Sequence, residues 1–426
     1  MLGAAGWRGR AVQPPVDFPR LGLMSIGNPQ NYDETTYQQQ VARFDMAILG
    51  MYNGWHQGGK TPAQAVSQIK SLNPRMLMGN YTLMTELTSS TSNPSTLYAH
   101  NKLSSEVGPG GVGNWWAYDA AGIHTDWSGG SFSSWDTNPT LLTTPDANGD
   151  RWPQWQAKSD FSLMLSNANF DIWFTDNCFW KPRSDADWNR NGVNDSQDNI
   201  AVRNWWRDGQ RAYYDTAATA APGLLLMANV DSDLDGSVFP TTADSFTQFK
   251  DVLGAAYMEH TMGMSWSVET WGGWNLVMDW YRQLKTNLLP PQTLLFDIYL
   301  ASTTDYQAFR YGMATCLMDD GYFSASTNYN QVVWFDEYDL AGTASTKWLG
   351  QPIDSPPTSA WQSGVYRRNF TGGAALVNPK GNGSQTVTIG AGYHRIAGGQ
   401  APTVNTGAAA TTVTLQDRDG ILLVKD

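Results

Sequence analysis

The stretch FDIWFTDNCFW, Phe170 to Trp180, decides how the rest of the chain is read. Ile172, Trp173 and Phe174 form an apolar run of strand length, which ends abruptly in Thr175, Asp176 and Asn177 before more aromatics follow. The run reads as a buried strand carrying a carboxylate at its end. In a (β/α)8 barrel that end of a strand floors the active site, and an Asp among aromatic walls suits sugar-cleaving chemistry there. A strand-end Asp also caps helices or bonds its own loop, so the reading of Asp176 rests on its company.

On the N-terminal side, Leu21 to Ile26, Asp45 to Met51 and Arg75 to Gly79 read as strands, with helical spacing at Tyr37 to Phe44 and Thr61 to Ser71 between them. On the C-terminal side, Leu224 to Ala228, Val252 to Met258, Thr293 to Leu300 and Gly321 to Ser326 complete a set of eight. Helices are expected at Asn199 to Thr219, Asn275 to Lys285 and Tyr306 to Met318. This alternation predicts an α/β chain folded as a (β/α)8 TIM barrel over about residues 20–350. Residues 1–19 read as a leader without the hydrophobic region of a signal peptide. Residues 89–155 read as a long insertion, rich in Gly, Ser, Asn, Asp and Trp, that walls a cleft. Its literal GxGxxG (Gly108, Gly110, Gly113) lacks the strand before and the helix after that a nucleotide site needs. Residues 351–361 (QPIDSPPTSAW) have linker composition, and 362–426 alternate in short runs between Gly-rich turns, predicting a small C-terminal antiparallel β-sandwich.

Composition narrows the partners. A net charge of −12 has the wrong sign for a phosphate backbone or an anionic membrane surface, and no apolar run approaches the ~20 residues of a membrane span. The 20 Trp, against 15 Phe and 18 Tyr, suit a wet cleft, because an indole offers sugar both a flat face and a donor; core packing claims about half of them. Two cysteines, Cys178 and Cys316, build neither a disulfide framework nor a metal site and leave the compartment open. A carbohydrate partner is expected, with neither nucleic acid nor membrane, and the oligomeric state is left open. A secreted or periplasmic location with any signal removed is expected, with the cytoplasm left open.

The leading constellation is Asp176 after strand four with Glu259 after strand six. Glycoside hydrolysis needs two carboxyl groups about one bond, one ionised and one protonated, and separate strand ends can hold them in different surroundings. Asn53, Trp55, Asn80, Asn229 and Trp334 stand at strand ends or rim loops as sugar-binding candidates. Asp231, His260, Asp336 and Glu337 are further candidates for substrate contact, and Asp297 falls in mid-strand facing the barrel interior. No cofactor is required. Asp187, Asn189, Asn191, Gly192, Asp195 and Asp198 fit positions 1, 3, 5, 6, 9 and 12 of a calcium loop, although the last position is Asp where Glu is usual. A turn-rich loop whose polar groups bond each other is the competing reading. The five histidines lack zinc spacing, and neither a GxSxG elbow nor a GKS/T phosphate loop is present.

The run FDIWFTDN, the strand ending YMEH, and the C-terminal stretches GAALVNPKGNGSQTVTI, GYHRIAGGQAPTVNTG and VTLQDRDGILLVK resemble the glycosyl-hydrolase-like TIM-barrel families, nearest to the hypothetical glycosyl hydrolase family fifteen. The resemblance spans about Pro19 to the C-terminus. It implies a catalytic barrel with an appended β-sandwich, acting on an α-linked glycan by a retaining route, with Asp176 as nucleophile and Glu259 as general acid/base. Two alternatives stay open at this point: an inverting enzyme using the same carboxylates, and a carbohydrate-binding barrel without chemistry.

Overall fold

A computed structural model of the chain describes residues 14–27, 29–51, 59–91, 94–105, 115–230, 248–329 and 331–426. Eight parallel strands form one sheet in sequence order: β1 (Gly22–Ser25), β2 (Met46–Leu49), β3 (Leu77–Leu83), β4 (Ile172–Asp176), β5 (Leu225–Asn229), β6 (Ala255–Met258), β7 (Thr293–Tyr299) and β8 (Tyr322–Ser326). A parallel bridge between Leu21 and Phe323 closes β8 onto β1, and the Phe323 amide donates to the Arg20 carbonyl at 2.8 Å.

The alternation of side chains along each strand explains why the apolar runs are unbroken. Met24, Met46, Ile48, Ile172, Phe174, Leu225, Met227, Tyr257, Leu295 and Tyr322 fill the barrel, whereas Leu23, Ala47, Leu49, Trp173, Leu226, Ala256 and Phe296 pack outward under the helices. The helices start where local chemistry allows. Thr61 and Gln64 form a reciprocal capping box for the helix Pro62–Leu72, and Asn199 caps the helix Ile200–Ala220. Asp305 likewise caps the helix Tyr306–Cys316. The helix expected at Asn275 to Lys285 extends further, as Val268–Asn287, with a kink at Gly273 (φ 77°). Among the described residues no helix is long and apolar enough to cross a membrane.

The insertion after β3 has its own structure: a two-stranded antiparallel pair, Glu86–Thr88 with Ser134–Asp136, and a helix, Pro94–Ser105. The helix leaves little trace in the sequence, because only Ala99, His100 and Leu103 are buried on it, too sparse an apolar period to register. Tryptophans of this region are core. Trp115, Trp116 and Trp152 are buried, and the Trp115 and Trp152 indoles donate to the Thr144 and Met84 carbonyls at 2.9 and 2.8 Å. Backbone acceptors thus meet the requirement that a buried indole N–H be bonded.

Six C-terminal strands form the sandwich: β9 (Tyr366–Phe370), β10 (Gly373–Asn378), β11 (Gln385–Thr388), β12 (Tyr393–Arg395), β13 (Thr412–Leu415) and β14 (Asp419–Lys425). One sheet runs β9-β10-β14-β12 and the other pairs β11 with β13. The larger sheet is buried on both faces. Ala374, Leu376, Ile421 and Leu423 face the sandwich core, whereas the alternate residues Ala375, Val377 and Leu422 join the core of the barrel. Buried ionic contacts fix the same junction. Arg310, on the helix Tyr306–Cys316, pairs with Asp419 at 3.0 Å, and Arg368 reaches the Asp319 carbonyl and the Asp320 carboxylate, both at 2.7 Å. Of the segment 351–361, Ile353 donates to the Asn369 carbonyl, so it lies along the edge of β9.

A tight approach in this junction is at Gly420, where a Cβ would stand 2.5 Å from the Arg310 carbonyl oxygen and 2.7 Å from Ala314 Cβ. Gly420→Ala is therefore expected to lower stability by about 1–3 kcal/mol in urea unfolding, since neither the strand nor the helix can yield without shifting backbone. Gly399→Ala, where a Cβ meets nothing within 4 Å, serves as the control and leaves the midpoint in place.

Candidate active site

The C-terminal ends of β4, β5 and β6 each contribute one polar side chain to a single point. Asp176 is the last residue of β4, Asn229 the last of β5, and Glu259 follows β6 directly. The registers Thr175 opposite Ala228 and Asn229 opposite Tyr257 set the three ends level. The Asn229 amide nitrogen donates to Asp176 Oδ1 at 2.9 Å and to Glu259 Oε2 at 2.8 Å. The reverse amide orientation would press its oxygen against two carboxylate oxygens, so the bonding itself assigns the flip. Because both oxygens bond one nitrogen, they stand less than about 6 Å apart.

Each carboxylate has a second anchor. Tyr81, from β3, donates its hydroxyl to Asp176 Oδ2 at 2.6 Å, and the Asn177 backbone N–H donates to Oδ1 at 2.9 Å. Tyr329, on the segment after β8, donates its hydroxyl to Glu259 Oε1. Among the described residues no Lys or Arg bonds either carboxylate. Burial, then the neighbouring Glu259 charge, push the Asp176 carboxyl up to about 6 against the opposing donors.

The insertion reaches this cluster through Asn177. Asn177 adopts a left-handed backbone (φ 55°), which a short polar residue tolerates, and its side-chain amide donates to Glu86 Oε1 at 2.7 Å. Glu86 in turn accepts from Ser134 at 2.7 Å and from the Trp127 indole at 2.5 Å. Burial raises the Glu86 carboxyl against these donors, and the nearby Asp176 adds to it. Tyr81, Glu86, Asn177 and Tyr329 are site residues that the sequence pattern does not single out. Only Asn177 leaves a trace there, as one of the polar groups that end the strand-four run.

Of the other expected site residues, Asn229 and His260 lie in the cluster, with His260 Nε2 3.1 Å from the Tyr329 hydroxyl. Asn80 does not face the pair: it accepts from the Met51 N–H at 2.8 Å and ties off the end of β2. Trp334, Asp336 and Glu337 are also turned away. The Trp334 indole donates to Asp339 at 3.0 Å beneath the Arg43 guanidinium, Asp336 accepts from the Gln400 backbone at 2.7 Å, and Glu337 accepts from Asn405 at 3.1 Å. Asp336 and Glu337 join the barrel to the sandwich, which is why an acidic pair follows aromatics there. Asn53, Trp55 and Asp231 lie outside the described residues.

The loop with calcium-like spacing bonds to itself. Asp187 accepts from the backbone of Asn191 and Gly192, both at 2.8 Å, and Asn191 accepts from Val193 at 2.9 Å. Asp198, at the twelfth position, pairs with Lys181 and Arg203 at 2.7 and 2.8 Å. Among the described residues no three acidic, His or Cys side chains gather as a metal site would gather them.

The raised Asp176 has a consequence for stability. Its folded-state value, about 6, lies above the ordinary carboxylate value, so ionisation costs folding free energy as pH rises from about 4 through 6. Asp176→Asn removes that cost: it is expected to match wild type near pH 4 and to gain about 1–2 kcal/mol above pH 6. Thermal melts of both proteins across this pH range check the prediction.

No protein-family model matches the chain, and no curated protein matches it. Among solved structures it is similar to the glycoside hydrolase domain of PelA from Pseudomonas aeruginosa, at 11% identity over 74% of this chain and 97% of that one, TM-score 0.42. It is likewise similar to a GH27 β-L-arabinopyranosidase from Geobacillus stearothermophilus, at 9% identity over 97% of each chain, TM-score 0.46. An Anoxybacillus alpha-amylase matches at 8% identity over 99% of this chain and 96% of that one, TM-score 0.44.

Proposed function

We propose that the protein is a glycoside hydrolase that cleaves an α-linked poly- or oligosaccharide by double displacement. The observation that carries the proposal is the pair of carboxylates held on one amide nitrogen at the mouth of a barrel, Asp176 and Glu259 on either side of Asn229. Two carboxylate oxygens within about 6 Å of each other support the closely spaced retaining arrangement over the wider inverting one. The α-configuration rests on the family resemblance of the sequence alone.

In the first step an Asp176 oxygen attacks the anomeric carbon, the bond to the leaving oxygen breaks, and Glu259 gives that oxygen its proton. In the second step water attacks the same carbon, Glu259 takes the water proton, and the Asp176 carboxylate is released. The three donors on Asp176, from Tyr81, Asn229 and the Asn177 backbone, are aimed at an anion and hold the nucleophile in one orientation.

A panel of α-linked glycans tests the proposal. Wild type is expected to release product with retained anomeric configuration by proton NMR, and Asp176→Asn to bind the same glycan with hydrolysis reduced by at least about 10³-fold. The kcat/KM profile is expected to be bell-shaped, because the first step needs one proton on the pair: with two the nucleophile is lost, and with none the acid is lost. Inverted product would replace double displacement with single displacement, and binding without hydrolysis across the panel would sink the enzyme reading.

A further inference from the structure

Three ionisable side chains behind Glu259, those of Tyr329, His260 and Asp297, have no part in the two-carboxylate chemistry. The Tyr329 hydroxyl that donates to Glu259 Oε1 stands 3.1 Å from His260 Nε2, and the two rings are parallel, 3° apart in tilt. The same nitrogen lies 3.3 Å from Ser326 Oγ and 3.5 Å from Asp297 Oδ2. A positive φ of 37° at His260 turns the chain back under β6 so that its ring enters this space, and the Ser267 hydroxyl holds the His260 carbonyl at 2.5 Å. His260 and Asp297 are 7% and 0% exposed. Among the described residues, His260 Nδ1 has no hydrogen-bond partner. The titratable groups facing this imidazole are Glu259 on its own segment, Tyr257 from β6, Asp297 and Tyr299 from β7, and Tyr329 from beyond β8, with Asp176 across the pair.

We propose that Tyr329 and His260 form a two-way hydrogen-bonding relay that positions Glu259 in both of its protonation states, with Asp297 anchoring the imidazole. The inference rests on the hydrolase reading, since double displacement requires Glu259 to carry a proton in one step and to lack it in the next. The other partner of Glu259, the Asn229 amide, only donates and favours the anion. A tyrosine hydroxyl both donates and accepts, so it satisfies either form, and a neutral imidazole nitrogen beside it supplies the complementary role. Burial keeps that imidazole neutral, drawing it down to about 4, and pushes the Asp297 carboxyl well above the usual range, so both stay adaptable and uncharged.

Removing the hydroxyl takes a charge-assisted bond from the anionic form and a weaker neutral one from the acid, so the titration of the pair moves to higher pH. Tyr329→Phe and His260→Leu are expected to lower kcat about 10–100-fold with little change in KM, and to shift the alkaline limb of the profile upward by about one unit. His260→Gln, whose amide nitrogen reaches the position of Nε2, recovers most of what Leu loses; a purely space-filling role would make Gln the worse replacement.

A second readout needs no substrate. The chain has six glutamates, so carboxyl-13C labelling of glutamate gives few enough resonances to follow Glu259 by NMR, identified by its loss in Glu259→Gln. Its titration is expected to move upward in Tyr329→Phe and in His260→Leu. Identical titration in wild type and in both folded variants overturns the relay, whatever the activity. If wild type cleaves no glycan yet the titration moves, the hydrolase reading fails and the relay geometry stands.

Discussion

One amide nitrogen between two carboxylates is the constraint on which the site depends. Asp176 and Glu259 would repel each other in a partly dry barrel mouth, and no cation among the described residues separates them. Asn229 supplies partial positive charge to both without adding a unit charge, so the pair stays close and still titrates. That arrangement requires β4, β5 and β6 to be adjacent, parallel and level at their C-terminal ends. A slip of one residue in β5 would point Asn229 to the opposite face of the strand and dissolve the cluster.

The site is costly, and the scaffold around it is built to bear the cost. Among the described residues, buried polar atoms without protein partners lie at the mouth, Asn229 Oδ1 and His260 Nδ1. Each is the kind of group that a core selected for stability alone would replace. Away from the mouth the balance reverses. The barrel interior is apolar, the helix Tyr306–Cys316 is buried from Ala308 to its end, and the sandwich sheet places alternate residues in two cores. Asp336 and Glu337, next to the mouth in sequence, belong to this supporting junction.

The barrel is legible in the sequence because its signal is local. Eight apolar runs with helical spacing between them follow from burial on both faces of a parallel sheet, and Asp176 and Glu259 stand out as carboxylates breaking the ends of two such runs. Asn229 and His260 share that strand-end mark, but the other partners do not, because a contact between residues distant along the chain carries no local sign: Tyr81 lies 95 residues from Asp176, Glu86 lies 91 from Asn177, and Tyr329 lies 70 from Glu259. Composition misleads where it is taken for function. Trp115 and Trp152 find backbone acceptors inside the insertion, so indole abundance reflects core packing there as well as any cleft. The calcium spacing, likewise, cannot reveal that Lys181 and Arg203 lie within reach of Asp198.

The two carboxylates are backed from opposite sides by different groups, and on the proposed mechanism this difference is what separates their roles. Behind Asp176 stand the Tyr81 hydroxyl and a fixed donor, the Asn177 backbone N–H, with the Asn177 side chain held in place by Glu86 of the insertion. The backbone N–H cannot turn to accept, so it fixes one orientation of the carboxylate, as the proposed nucleophile requires, while burial and the Glu259 charge still raise its carboxyl. Behind Glu259 stands the hydroxyl of Tyr329 with His260 beyond it, groups that accept as readily as they donate. Such surroundings can bond either state, as a group proposed to serve first as acid and then as base requires. Two carboxyl groups of the same chemistry on one amide can thus divide the work, because β3 and the insertion reach one of them and the segment after β8 reaches the other.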